Sequence, residues 1–295
     1  MTQQITNSTK KNYEQNLQKL DSLNINYKNT NNTQELIKNI YNIKSKSNKN
    51  NIQKSTAKNY ITAIIYFHKN NKQSNETLIT ELRKELSKIN KNIQTQVESR
   101  ELIGTQIINY VQWETVLEKY KKIQQDTKEY IVASLYVLLP PRRLTDYSLM
   151  YITNNNHNLD KIINYYYDNG TKSYFIFNQY KTKKKYGTQI IYVPTKLRNI
   201  INTYLQKNNI KNMQAMLQMN ETQIRYKINN AFGKNVSVDI LRHSYITYLA
   251  QNGAFDKLQN RLDVARIMAH SIETQENYRK DKNNIDSDKF ITFRE

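Results

Sequence analysis

The chain has 295 residues and a formal net charge of +20, long enough for two domains of ordinary size or one large one. It has no cysteine, four scattered histidines without metal-ligand spacing and five unclustered glycines. This argues against disulfides, thiolate chemistry, metal-dependent catalysis and nucleotide-phosphate loops, so any chemistry must run on Arg, Lys, His, Tyr and carboxylates. The charge points to a polyanionic partner, because neutralising phosphates releases their condensed counterions.

Residues 1–100 carry 17 Lys/Arg against 7 Asp/Glu, half of the excess, so the charge is not one basic tail. Four helices are expected over residues 1–89. Tyr13, Leu17, Leu20 and Leu23 recur at helical spacing behind Ser8/Thr9; Leu36, Ile37, Ile40 and Tyr41 form the second stripe. The third helix follows Ser55/Thr56 with Tyr60, Ile61, Ile64 and Ile65 inward, and the fourth carries Leu78, Leu82, Leu86 and Ile89. The spacing predicts a helical bundle, and its basic connections, ahead of a second domain, suit it to grip DNA. Residues 90–104 have little periodicity and are expected to form a linker. A second domain is expected over 105–295.

That domain starts with a helix at Trp113, Val116 and Leu117, and continues with a buried helix over 129–139 that Pro140-Pro141 stops. The period then changes. IINYYY (162–167), SYFIFNQY (173–180) and TQIIYV (188–193) read as three antiparallel strands, with Asn169-Gly170 as a tight turn and KTKKKYG (181–187) as a charged one. Helices are expected again at 195–206, at 220–232 and after Ser237. The fold class is therefore mainly α with a small antiparallel sheet. No apolar run approaches the roughly 18–20 residues of a membrane span. MTQQITNSTKKNYEQ lacks the apolar core of a signal peptide, so an intracellular protein is expected.

Four segments carry candidate chemistry. PPRRLTDYSLM (140–150) places Asp146 three residues after Arg143; Lys181-Thr182 stand where the second strand gives way to the charged turn. ILRHSYITYLAQNG (240–253) puts Arg242 and His243 early in a helix, and in IMAHSIETQENY (267–278) His270 precedes Tyr278 by eight residues. In this order they resemble the tyrosine recombinase (phage integrase) family, whose catalytic domain carries G-L-R-x-x-E, a hairpin lysine, H-x-L-R-H, L-G-H-S and a nucleophilic tyrosine. The resemblance spans about residues 110–280, and the N-terminal helices resemble the family's core-binding domain.

It implies cofactor-free cleavage and rejoining of double-stranded DNA through a 3′-phosphotyrosyl bond. Arg143 and Arg242 would grip the phosphate, Asp146 would orient Arg143, Lys181 would protonate the departing 5′-hydroxyl, His270 would donate to a phosphate oxygen and Tyr278 would attack. Arg142 remains a rival of Arg143, and Lys183 a rival of Lys181. His243 is read as supporting structure. The resemblance also implies a tetramer on paired DNA sites. The abundance of Asn, Lys, Ile and Tyr suggests an AT-rich genome, such as that of a virus or mobile element.

Two departures stand out. Asp239 occupies the place where the family has histidine; it is suited to accept the tyrosine proton or brace Arg242, but not to donate to phosphate. The His270–Tyr278 interval is one residue shorter than usual. The tail beyond Tyr278, with Phe290, Ile291 and Phe293, is expected to pack on a neighbouring subunit. A relaxing enzyme resembling type IB topoisomerases, and a silent DNA-binding protein on the same fold, are the other readings of these residues.

Overall fold

A computed structural model of the chain describes residues 5–45, 49–71, 75–155, 157, 159–233 and 235–280. The tail with Phe290, Ile291 and Phe293 lies outside the described residues. The chain forms two compact units, residues 1–99 and 100–295.

The first unit contains α1 (Asn7–Ser22), α2 (Thr33–Tyr41), α3 (Lys54–Asn70) and α4 (Glu76–Glu98). Helix starts are set by local chemistry. The side chains of Thr6, Asn32 and Asn75 accept from the backbone N–H groups of Thr9, Glu35 and Leu78, satisfying donors that a helix end leaves open. The cap of α1 is thus Thr6, two residues before the expected Ser8. Leu20, Ile40, Ile61, Ile64, Ile79 and Leu82 are fully buried between the helices, each such side chain contributing about 1.5–3 kcal/mol. Helix α4 runs on to Glu98, through much of the segment expected to be a linker. Its second half is polar and exposed apart from Ile89 and the partly buried Ile93 and Val97, so the apolar period fades before the helix does.

The second unit is mainly helical: α5 (Gln106–Asn109), α6 (Trp113–Lys122), α7 (Lys128–Val137), α8 (Leu144–Ser148), α9 (Lys183–Tyr186), α10 (Thr195–Lys207), α11 (Glu221–Phe232), α12 (Val238–Gln251), α13 (Leu258–Ile267) and α14 (Ile272–Tyr278). Its four strands are β1 (Met150–Thr153), β2 (Asn164–Asp168), β3 (Ser173–Phe177) and β4 (Gln189–Tyr192), in the order β1-β2-β3-β4. The three expected strands pair antiparallel, Tyr166 opposite Phe175 and Phe175 opposite Ile191. The sheet is nonetheless mixed, because β1 adds to β2 in parallel, Met150 opposite Asn164. Four residues directly after a helix are too few to show an alternating pattern, so β1 was not legible. The β2–β3 turn is also longer than the expected tight turn. Asp168 pairs with Ser173, leaving residues 169–172 as the loop, with Gly170 at φ +92°.

One sheet face carries Tyr166, Phe175, Phe177 and Ile191 into the core, where they meet α7 and α8 residues such as Tyr136 and Tyr147. The far end of β2 is clasped by charge. Asp168 accepts from Arg198 Nε (2.7 Å) and Nη2 (2.8 Å), from Asn202 (2.9 Å) and from the Gly170 N–H (2.8 Å). Partial burial opposes ionisation of Asp168, but these donors outweigh it and hold its pKa down to about 2 from 3.8. A depressed carboxylate contributes stability that is fully present above the unfolded value, near 4, and is lost as pH falls towards 2. Asp168→Asn should therefore cost roughly 1–2 kcal/mol at pH 7 and progressively less as pH falls through 2. Urea unfolding of both proteins at pH 7 and at low pH checks this; equal midpoints at pH 7 would contradict it.

Candidate active site

The site is organised by the C-terminus of α13. The last carbonyls of a helix have no partner inside it and carry the negative end of its dipole. Here four consecutive ones are taken by side chains from elsewhere in the unit. Arg266 O accepts from Gln189 Nε2 (2.9 Å) and Ile267 O from Arg142 Nη1. Met268 O accepts from both terminal nitrogens of Arg242 (3.4 Å each), and Ala269 O from Thr182 Oγ1 (2.8 Å) and Arg143 Nη1 (3.4 Å). A left-handed cap turns these carbonyls. Ala269 stands at φ +54°, its N–H on Arg266 O and the His270 N–H on Ala265 O. Glycine is the usual occupant there, and an alanine costs on the order of 1 kcal/mol. The cap stops the helix at Ile267 and turns the His270 imidazole towards the arginines.

The two adjacent arginines separate in role. Arg142 is 1% exposed; its Nε donates to Asp146 (2.8 Å), its Nη1 to Gln189 Oε1 (2.8 Å), and its guanidinium stacks 3.8 Å over the Phe177 ring. Asp146 therefore braces Arg142 and not Arg143, contrary to the expectation from its spacing. The reason is local: Arg143 caps α8 with extended backbone, and a side chain four residues back, not three, meets Asp146 within the fully buried layer. Arg143 is half-buried and grips Ala269 O. Burial and the charge of Arg242 lower its pKa, partly offset by Tyr278 and Asp146. A guanidinium so placed still carries its charge at neutral pH.

Arg242, also 1% exposed, projects from α12 into the same hub. Its Nη1 donates to Pro141 O (2.7 Å) and its Nη2 meets His270 Nδ1 at 3.0 Å. Because a guanidinium can only donate, His270 Nδ1 is the acceptor and Nε2 carries the ring proton. Burial and then the charge of Arg242 push the His270 pKa down to about 3, with Arg143 and Arg142 adding to the effect and Gln275 opposing it. The imidazole is thus a neutral donor at physiological pH. Its Nε2 has the Gln275 amide beside it but no hydrogen bond of normal length, and the Arg242 Nε likewise has no hydrogen-bond partner among the described residues.

Tyr278 closes α14 against this hub. The Arg242 guanidinium lies 4.7 Å from the centroid of its ring, the His270 ring 5.5 Å and the His243 ring 4.8 Å. His243 Nδ1 bonds the Tyr278 carbonyl at 2.7 Å, fixing the backbone of the tyrosine. Asp239, one helical turn before His243, has a 62% exposed side chain with His243 Nε2 3.6 Å away. Crowding of its carboxylate opposes ionisation, but His243, Arg242 and the Tyr278 phenol facing it lower its pKa overall. It is an anion at neutral pH.

Lys181 is exposed in the turn after β3 and makes no side-chain hydrogen bond among the described residues; Thr182 beside it ties that turn to Ala269 O. Lys183, in contrast, donates its ammonium to Lys161 O at 2.9 Å. The structure thus brings Arg143, Arg242, His270, Tyr278, Asp239 and His243 together, and holds Lys181 by its neighbour.

No family model matches the chain, and no curated protein matches it. Among solved structures the chain is similar to a crystal structure of XerA recombinase, at 12% identity and a TM-score of 0.42, over 97% of this chain and 99% of that one.

Several residues of the site were missed from sequence. Gln189 had a signal: it is a polar residue at an inward position of an alternating strand, with Ile191 and Val193 on the same face. Gln275, fully buried on α14 with both amide atoms unpartnered among the described residues, and Gln106, which reaches His243 Nε2 at 3.1 Å, had none.

Proposed function

We propose that this chain is a site-specific DNA recombinase that cleaves and rejoins DNA through a 3′-phosphotyrosyl intermediate on Tyr278. The observation that carries the reading is an excess of donors gathered at a tyrosine. Among the described residues the guanidiniums of Arg143 and Arg242 are hydrogen-bonded to carbonyls and an imidazole, and the buried Arg242 Nε and His270 Nε2 have no hydrogen bond of normal length. Buried donors left open are costly unless a ligand completes them. A phosphodiester supplies the missing acceptors, and the charge that develops on its nonbridging oxygens during attack is met by donors already in place. The net charge of +20, spread over both units, suits a duplex partner.

The reaction balances without ATP. The Tyr278 O–H gives its proton to the Asp239 carboxylate, its oxygen forms a bond to phosphorus, the bond to the 5′-oxygen breaks, and Lys181 supplies the proton that the leaving 5′-hydroxyl needs. Reversal with a new 5′-hydroxyl restores a phosphodiester, since one ester is exchanged for another. Arg142 and Asp146 form the buried brace behind Arg143. The working assembly is a tetramer on paired sites. The gene belongs to a virus or mobile element of AT-rich composition, and the protein acts on DNA inside its host.

The test begins with covalent capture. DNA recovered from denatured complexes with the full chain should carry the protein on a 3′-phosphate, and sequencing its ends gives the site. Lys181 is then examined on nicked duplexes of that site. Lys181→Ala should slow cleavage by about 10²–10⁴-fold, and a 5′-bridging phosphorothiolate, whose sulfur leaves unprotonated, should restore most of the rate. Rescue at Lys183→Ala with an active Lys181→Ala would transfer the role by two residues.

A further inference from the structure

Tyr278 stands at the end of α14, a helix of seven residues, and a helix that short does not hold itself together in water. Gln275 is its one buried side chain, so contacts from outside the helix fix where the phenol lies. Some come from the helices before it. His243 bonds the Tyr278 carbonyl at 2.7 Å, Thr247 Oγ1 accepts from the Lys280 N–H at 2.8 Å, and Arg261 bonds Glu276.

The others come from residues 100–106, which run from just past the end of α4 into the start of α5. None of these side chains is buried, yet the segment reaches the nucleophile's surroundings at three points. Arg100 Nη2 lies 3.4 Å from Glu276 Oε2, two residues before the tyrosine. Lys280, two residues after it, is buried and donates its ammonium to the Glu101 carbonyl at 2.9 Å. Gln106 acts through His243. A carbonyl only accepts, so His243 Nδ1 holds the proton towards Tyr278, and its Nε2 accepts from Gln106 Nε2 at 3.1 Å. The Gln106 oxygen is steadied in turn by the Ile103 N–H at 3.3 Å. The backbone bends to make these ties, with Arg100 at φ +54° and Gly104 at φ +55°. Left-handed backbone at an arginine persists only where its surroundings fix it. An enclosed ammonium such as that of Lys280 is likewise costly without a defined acceptor.

We propose that residues 100–106 are a strap that sets the position of Tyr278, with Arg100, Gln106 and Lys280 as its positioning residues. The inference rests on the reading of Tyr278 as nucleophile. None of the three is among the groups assigned to the phosphate or to proton transfer. They hold the last turn of α14, where a displacement of about 1 Å is enough to cost on the order of 10²-fold in rate. A segment that reads from sequence as a passive linker is thus part of the site.

The experiment compares the full-length protein with Arg100→Gln, Gln106→Leu and Lys280→Met, singly and combined, on the captured site. Lys280→Met keeps the buried stem and removes only the donor. Single-turnover cleavage should slow several-fold in each variant and by about 100-fold in the triple one, at unchanged DNA affinity. A 5′-bridging phosphorothiolate should leave that deficit in place, because the fault lies with the nucleophile and not with the leaving group. Arg100→Lys, which keeps a cation for Glu276, should cleave faster than Arg100→Gln. In the free protein, amide hydrogen exchange should quicken over residues 272–279 in the triple variant and stay unchanged in α12. A triple variant that cleaves at the wild-type rate or faster overturns the strap, and so does a rate loss matched by lost affinity. Slowed cleavage with wild-type exchange over α14 also overturns it, since the effect then reaches the site by another route. Each of these results leaves the nucleophile standing. Absence of any adduct from wild type overturns the recombinase reading and the catalytic meaning of the strap with it.

Discussion

Tyr278→Phe is expected to abolish the covalent adduct while leaving DNA binding and stability almost unchanged. The substitution removes one oxygen. The ring contacts with Arg242 at 4.7 Å and His270 at 5.5 Å do not need that oxygen, and the anchoring bond from His243 goes to the backbone carbonyl. A half-buried hydroxyl contributes about 1 kcal/mol at most to folding. Catalysis has no such reserve. The chain contains no cysteine, and Tyr278 is the tyrosine whose ring meets both Arg242 and His270 among the described residues. Gel shift, thermal unfolding and denaturing electrophoresis on one set of samples check the result. An adduct that persists in the Phe variant would place the nucleophile elsewhere.

The second large effect is expected at Arg242. Its guanidinium supports Pro141 O, Met268 O and His270 Nδ1 and also faces the phenol ring, so structure and chemistry share one group. Arg242→Ala leaves buried carbonyls unpaired, each costing about 1–3 kcal/mol, and the unfolding midpoint should fall accordingly. Cleavage measured well below that midpoint should drop by about 10³-fold, the usual effect of losing a donor to a developing oxyanion. Arg242→Lys keeps a point charge but not the fork, and should recover stability better than rate.

His270 provides an independent readout. Burial and then the Arg242 charge hold its pKa down to about 3 in the wild type, so its ring should not titrate between pH 5 and 8. Because that value lies below the unfolded one near 6.5, His270 contributes stability that is fully present above pH 6.5 and lost as pH falls towards 3. Removing Arg242 should raise the His270 pKa and shrink this acid sensitivity. A ring that already titrates near 6.5 in the wild type would contradict the buried, cation-crowded environment. An Arg242→Ala protein that forms adducts at the wild-type rate would remove Arg242 from the reaction.

The four helices of the first unit, the longer helices of the second and the three antiparallel strands were legible in the sequence, whereas the short α5, α8 and α9 were not, the last lying in what reads as a charged turn. Each legible element depends on information local to a few turns: apolar period, capping side chains and prolines. Partnership was not local. The pairing of Asp146 with Arg142, in place of Arg143, follows from which arginine points into the fully buried layer behind Phe177, and both arginines lie in the same short motif. The parallel β1 was hidden because its partner lies 14 residues away and its own four residues show no alternation. The gathering of Gln189, Arg142, Arg242, Arg143 and Thr182 on the carbonyls of residues 266–269 needs four segments brought to one helix end. Likewise, Gln106 bears on the acid–base chemistry of His243 only across 137 residues of chain. Sequence by itself determined the elements and the residue types available for phosphate chemistry, because these are set by short-range backbone preference and composition. Tertiary structure alone decided which arginine Asp146 holds, which arginine stacks on the tyrosine ring and which nitrogen of His270 carries the proton, because contacts over a few ångströms join residues that the chain keeps far apart.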